Sequence, residues 1–237
     1  MIKSCIFDLD GTLTDTLESL AYSVQLTLEE MGLQKITKEQ CKSFVGNGAR
    51  RLMELSLQAA GADPCERLEE GMRIYGRIFD ANCTYHVTPY EGIVSTLKNL
   101  KDRGIRTAVL SNKPDEQADK VVREIFGDGV FDFVQGQKEG VKRKPDPEGV
   151  YQAAEALEVK KEECLYIGDS EVDVETGHRA QVSTVAVSWG FRERKELLEA
   201  GAERIIDRPE ELLQFVKSEE YVIREEQRSC MSMMKSV

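Results

Sequence analysis

Near its N-terminus the chain runs Ser4-Cys5-Ile6-Phe7-Asp8-Leu9-Asp10-Gly11-Thr12. An apolar, β-prone segment that stops on two aspartates and a glycine reads as a strand, residues 4–9, feeding a tight turn. Side chains at i and i+2 share one face of a strand, although Asp10 already stands where the backbone turns. Two carboxylates this close repel, so one stays protonated unless a cation compensates. Taken alone, Asp-x-Asp-Gly is also ordinary turn chemistry, because surface loops use Asp and Gly freely. The rest of the chain decides between these readings.

Working outward, short apolar runs occur at 106–111, 131–135, 164–168 and 184–188, with a weak edge strand at 204–206. They alternate with amphipathic stretches at 92–103, 116–126, 148–157, 172–179 and 209–216. The alternation predicts an α/β fold, βα units around a parallel sheet. Between the first strand and the second lie about ninety residues, far more than one crossover helix needs. That interval carries helical patterns at 17–31, 37–44, 49–60 and 64–82. We therefore expect residues 1–15 and 88–217 to form an α/β catalytic core and residues 16–87 a helical cap inserted after the first strand. Residues 218–237 read as a charged C-terminal tail.

Three further stretches stand out. Gly168-Asp169-Ser170, with Asp173 four residues after Asp169, follows an apolar run and opens a helix. A plain helix cap uses the same residues. Ser111-Asn112-Lys113-Pro114 also sits between strand and helix, where a hydroxyl and free N–H groups suit phosphate and where turns are equally common. Lys142-Arg143-Lys144-Pro145-Asp146-Pro147 is a basic cluster in an acidic chain; most such clusters are solvated loops. The three acidic or hydroxyl elements all fall at C-terminal strand ends, where open α/β sheets place their ligand crevice.

As a set, these stretches resemble the haloacid dehalogenase-like hydrolase superfamily, whose pattern is D-x-D-G-T, then Ser or Thr, then Lys, then an acidic G-D-x-x-x-D. The likeness spans about residues 1–216. It implies a Rossmann-like parallel sheet with an inserted helical cap domain, in which the strands bearing Asp8, Ser111 and Asp169 are neighbours. Within the superfamily, residues 8–18, Val45-Gly46-Asn47-Gly48-Ala49, 111–114 and Lys144-Pro145-Asp146-Pro147 look like phosphoglycolate phosphatase and its close relatives.

The resemblance further implies a Mg²⁺-dependent phosphatase acting on a small phosphorylated metabolite, with 2-phosphoglycolate the best guess. Asp8 would be the nucleophile and Asp10 the acid and then the base. Ser111, N–H groups near Asn112, and Lys144 would hold the phosphate oxygens. Thr12 is grouped with these substrate-side residues, serving Asp10 or the turn. The metal ligands would be Asp8, the Asp10 main-chain carbonyl and Asp169, with Asp173 outside them, orienting a metal water or Lys144. From the cap, Gly46 and Asn47 would approach the substrate, and Arg50 or Arg51 would pair with its carboxylate.

Rival readings meet specific obstacles. Sugar phosphomutases of the superfamily carry a histidine early in the cap, where Leu20 stands here, and no histidine precedes His86. A phosphonatase needs a cap lysine, whereas residues 45–52 offer only Arg50 and Arg51. A non-catalytic binding module would have lost Asp8 or Asp169. His86 and His178 read as structural or surface residues, and Trp189 as packing.

Composition narrows the partners. A formal charge of −11 argues against a nucleic-acid backbone. No apolar run approaches the ~18–20 residues of a membrane helix, and the two aspartates interrupt any N-terminal apolar region. The expectation is a cytoplasmic monomer or homodimer with neither membrane nor nucleic-acid partner. The six cysteines are scattered without metal-ligand spacing, which predicts free thiols.

Overall fold

The structure is a computed structural model that describes residues 1–216; the expected tail and Cys230 lie outside the described residues. In chain order the first elements are β1 (Ser4–Phe7), β2 (Thr14–Asp15), α1 (Leu17–Glu30), α2 (Lys38–Phe44), α3 (Gly48–Ala59), α4 (Pro64–Asn82) and β3 (Thr88–Pro89). There follow α5 (Ile93–Asp102), β4 (Arg106–Pro114), α6 (Asp115–Phe126), β5 (Phe133–Gln137), α7 (Glu148–Ala156), β6 (Cys164–Gly168), α8 (Glu171–Ala180), β7 (Ser183–Val187), α9 (Arg194–Glu199) and β8 (Ile205–Ile206). Six strands make one parallel sheet in the order β5-β4-β1-β6-β7-β8. The strands leading to Asp8, Ser111 and Asp169 are thus neighbours, with β1 in the middle.

Alternation along β1 builds the two sides of the core. Ile6 packs on one side with Ala108, Tyr166 and the α7 residues Val150 and Ala153. Cys5 and Phe7 face the other, with Val109, Ile167, Leu97 from α5 and Val121 from α6. Parallel strands covered on both faces read as unbroken apolar runs, which is why the central strands stand out in the sequence.

Helices α1–α4 bury a common face through Val24, Leu28, Met53, Leu57, Ile74 and Phe79, continuous with the sheet's core. Local chemistry sets their ends. Thr37 and Gln40 exchange hydrogen bonds at the start of α2, 3.1 and 2.8 Å. Asp63 accepts from the Cys65 N–H at 2.9 Å before α4, with Pro64 in the first turn. The two chain segments that join this helical cap to the sheet run side by side, because β2 and β3 pair antiparallel.

Several boundaries differ from the sequence expectation. β1 stops at Phe7, since the chain turns at Asp8. β4 continues to Pro114, and its ladder with β5 shifts register between Leu110 and Pro114, so residues 111–113 are an irregular strand end rather than a loop. β5 lies two residues later than expected. The segment after Pro209 is a short 3-10 helix, Pro209–Gln214. β2, β3 and α9 were not anticipated, since two-residue strands have no periodicity and α9 buries only Leu197. The five described cysteines are free thiols. Among the described residues no helix is long and apolar enough to cross a membrane.

One close approach tests this architecture. A Cβ on Gly136 in β5 would fall 2.5 Å from the Asp115 Cα and 2.7 Å from the Lys113 carbonyl, backbone atoms that no rotamer change can move. Gly136→Ala is expected to cost about 1–3 kcal/mol and lower Tm by several degrees. Gly76→Ala, in the open on α4, should be neutral or stabilising by up to about 1 kcal/mol. Thermal melts of the two variants check the contrast.

Candidate active site

The C-terminal ends of β1, β4 and β6 deliver their residues to one crevice. The Asp8 N–H donates to the Ile167 carbonyl at 2.8 Å, the last ladder bond before the chain leaves the sheet. Gly11, at φ +88, then turns the backbone, and a Cβ there would sit 2.3 Å from Asp169 Oδ2. Only glycine fits a left-handed turn pressed against that carboxylate.

Lys144 is the centre of the charge arrangement. Its Nζ lies 2.9 Å from Asp8 Oδ1 and 2.8 Å from Asp173 Oδ1, with all three side chains buried or nearly so. Asp8 Oδ1 also accepts from the Leu9 N–H at 2.7 Å. Asp173 is fully engaged: its Oδ1 accepts from the Tyr166 hydroxyl at 2.9 Å, and its Oδ2 from the Ser170 hydroxyl at 2.6 Å and N–H at 3.2 Å. Asp169 accepts from the Thr12 hydroxyl at 3.1 Å and from the Phe191 N–H at 2.7 Å. Ligand oxygens of Asp8, Asp169 and Asp173 all lie within 4.8 Å of one another.

Burial of this much negative charge is visible in the acidities. Burial pushes Asp8 up to about 7, with Asp173 and Asp10 adding to the rise and Lys144 opposing it. Burial, then Asp173 and Asp8, hold Asp169 well above the usual carboxylate range. Burial pulls Lys144 down, but Asp173 and Asp8 outweigh it and hold the ammonium well above its ordinary value. The cluster therefore favours protons in the absence of another cation. Hard carboxylate oxygens in surplus over one lysine are a donor set suited to Mg²⁺.

Asp10 and Ser111 line a small cavity beside this cluster, roofed by cap residues Leu20, Val45, Leu52, Tyr75 and Phe79. Lys113, not assigned any role from sequence, reaches in from β4 and pairs with Asp10 Oδ1 at 2.8 Å. It shares a strand face with Ser111 at i+2, a signal present in the sequence. Arg192, also missed, lines the cavity from the loop after β7. Its Nε and Nη2 hold Glu171 at 2.8 and 3.3 Å, and Nη2 and Nη1 donate to the cap carbonyls of Val45 at 2.7 Å and Lys42 at 3.3 Å. Nothing in the sequence pattern marks it.

Three expectations need correction, at Thr12, at Asn47 and at the Arg50–Arg51 pair, while Asn112, expected to act through nearby main-chain N–H groups, uses its side chain elsewhere. Thr12, grouped with the substrate side, is fully buried and serves Asp169 instead. The Asn112 side chain lines the cavity, but its amide nitrogen is spent on the carbonyls of Gly46 at 3.1 Å and Lys144 at 3.0 Å, so it ties cap loop to core loop. Asn47 is exposed, and its carbonyl accepts from Arg143 at 3.1 Å on the outer surface. Arg50 is exposed and paired with Glu69, and Arg51 with Glu54 at 2.8 Å. On α3 it is Ala49 and Leu52, three residues apart, that face the cavity; the two arginines between them point away. Gly46 does line it. His86 and His178 are exposed and lie outside this cavity. Trp189 packs behind the turn, donating to the Thr12 carbonyl at 3.0 Å.

Comparison with known proteins gives a consistent result. The family model described as haloacid dehalogenase-like hydrolase matches residues 5–187. A phosphoglycolate phosphatase of Aquifex aeolicus is 32% identical over 80% of this chain and 86% of its own. One of Pseudomonas savastanoi pv. phaseolicola is 32% identical over 86% and 76%. The crystal structure of a provisionally named phosphoglycolate phosphatase from Lactobacillus delbrueckii subsp. bulgaricus superposes with a TM-score of 0.81 at 32% identity, covering 89% of this chain and 96% of that one.

The Lys144 bridge can be tested by stability alone. Lys144→Met leaves Asp8 and Asp173 without their cation and is expected to cost about 3–5 kcal/mol. Adding Asp173→Asn should recover part of that loss, with a coupling of at least about 1 kcal/mol. Urea titrations of both single variants and the double variant measure it; simple additivity would refute the bridge.

Proposed function

This chain belongs to the haloacid dehalogenase-like hydrolase family and is a phosphatase within it; we propose that it cleaves a short phosphate monoester, 2-phosphoglycolate foremost, with Mg²⁺ and through a phospho-enzyme on Asp8. The observation that carries the reading is the surplus of buried carboxylate around Lys144, with the Asp8 Oδ2 oxygen making no hydrogen bond among the described residues.

In the first step an oxygen of Asp8 attacks phosphorus, the bond from phosphorus to the ester oxygen breaks, and protonated Asp10 gives its proton to the leaving alkoxide. In the second, water attacks phosphorus, the bond to Asp8 breaks, and the Asp10 carboxylate takes the water's proton. Inorganic phosphate leaves and both aspartates regain their starting forms. Ser111 and Lys144 hold the phosphoryl oxygens. Asp8, Asp169 and the Asp10 carbonyl would hold Mg²⁺, which would supply neutralisation of the phosphoryl charge. Asp173 keeps Lys144 aimed at Asp8.

Two features favour hydrolysis of something small. The cap residues Leu20, Val45, Leu52, Tyr75 and Phe79 confine the cavity from the side opposite the strand ends, and a covered site excludes bulk water. The cap residue at the place where a mutase would need a histidine, Leu20, is an apolar part of the wall. The names of the relatives at 32% identity support phosphoglycolate as substrate.

Asp8→Asn should lower kcat by at least about 10³-fold with the fold intact by circular dichroism; appreciable residual turnover in Mg²⁺ would rule out the covalent route. Chelation should abolish activity and Mg²⁺ restore it, whereas Ca²⁺, with looser and higher coordination, should bind and inhibit. Independently of turnover, Mg²⁺ should raise the Tm of the native chain and leave Asp169→Asn unmoved. Among substrates, kcat/KM should be far higher for phosphoglycolate than for a phosphopeptide, and the reverse order would refute the small-cavity reading.

A further inference from the structure

The remote end of the substrate needs a partner, and the arginines expected for it point away. Among the described residues, the cations lining the cavity are Lys113 and Arg192. Arg192 is committed: Glu171 takes one edge of its guanidinium, and the carbonyls of Val45 and Lys42 take the other. Its place is to hold the cap loop down.

Lys113 is differently placed. Its side chain is 1% exposed, yet Nζ makes one hydrogen bond, to Asp10 Oδ1 at 2.8 Å. It stands 4.8 Å over the face of Phe79 from the cap. An ammonium has three N–H donors, so two remain for a ligand in the cavity. Of the cap residues in the wall, Leu20, Val45, Leu52 and Phe79 are apolar and Tyr75 alone carries a side-chain hydrogen-bonding group, its hydroxyl. A polyhydroxylated substituent would lose more water there than one hydroxyl can replace, whereas a single anionic group beside Lys113 gains a charge-assisted bond in a water-poor space.

We propose that Lys113 is the specificity-determining residue that receives a carboxylate at the non-reacting end of the substrate, so that the enzyme selects short phosphorylated acids over phosphorylated alcohols of the same size. This rests on the phosphatase reading above. The same lysine spans Asp10 and the substrate's far end, which fixes the ester oxygen near Asp10 by holding the carboxylate on the other side. It also makes cap closure part of recognition, because Phe79 arrives with the cap.

The test compares 2-phosphoglycolate with 2-hydroxyethyl phosphate, which replaces the carboxylate by a neutral hydroxymethyl group. In the native enzyme kcat/KM should favour phosphoglycolate by at least about tenfold, the order of one charge-assisted bond. In Lys113→Met, both esters should suffer from the loss beside Asp10, but phosphoglycolate by at least about tenfold more. Lys113→Arg should keep most of the preference, and it answers the question if the methionine variant does not fold. Arg50→Ala, remote from the cavity, should leave the ratio unchanged. A parallel fall for both esters would show that Lys113 serves Asp10 alone and would overturn the proposal while leaving the phosphatase intact. Failure of the native enzyme to hydrolyse either ester would overturn both.

Discussion

Lys144 holds two buried carboxylates apart and together at once. It sits at hydrogen-bond distance from Asp8 and Asp173, and without it β1 and the start of α8 would present like charges to each other in a medium that screens them poorly. Much of the neighbouring architecture follows from keeping that one ammonium in place. Ser170 and Tyr166 occupy the remaining lone pairs of Asp173, so its charge is fixed toward Lys144. Gly168 and Gly11 clear space where side chains would collide with Asp173 and Asp169. The Ser170-to-Asp173 exchange at the start of α8 is an ordinary helix cap and a site support together.

The four carboxylates of the site, Asp8, Asp10, Asp169 and Asp173, face two ammonium groups, Lys113 and Lys144. Ionised throughout, they leave two negative charges, which one divalent cation matches. Without it the cluster recruits protons, and the raised pKa values of Asp8 and Asp169 report that demand. Cation uptake and proton release are therefore two sides of one equilibrium. A site poised in this way carries an electrostatic cost in the empty protein, and that cost is what its ligands relieve.

The central strands were legible because parallel strands buried on both faces leave apolar runs, while the adjacency of the strands leading to Asp8, Ser111 and Asp169 was expected from the family resemblance alone. Asp8, Ser111 and Asp169 could be grouped from the sequence, since the topology gathers C-terminal strand ends, whereas Lys144, in the loop between β5 and α7, joined them only through the family resemblance. The cap side of the cavity was not. Whether Arg50 or Leu52 faces inward depends on the rotation of α3 about its axis, which tertiary packing sets and a five-residue loop motif does not. Thr12 was misassigned because a hydroxyl beside two aspartates can serve either the ligand or a third carboxylate, and Asp169 lies 157 residues away. Arg192 lies in an unremarkable loop, and its value comes only from carbonyls that the cap brings to it.

Those carbonyls connect closure to chemistry. Arg192, Asn112 and Arg143 reach from the core to the main-chain oxygens of Lys42, Val45, Gly46 and Asn47. Main-chain acceptors constrain the path of the cap loop rather than the identity of its side chains, so the loop can vary in sequence and still seat. Arg192 is anchored on Glu171, two residues beyond Asp169, and Asn112 stands between Ser111 and Lys113. Each grip on the cap thus starts from a residue next to the reacting groups. A cap seated on such residues is positioned by the same strand ends that position Asp8, and a displacement of either is felt by both. The β2–β3 ribbon holds the two tethers of the cap side by side, and the clamps hold its loop against the core.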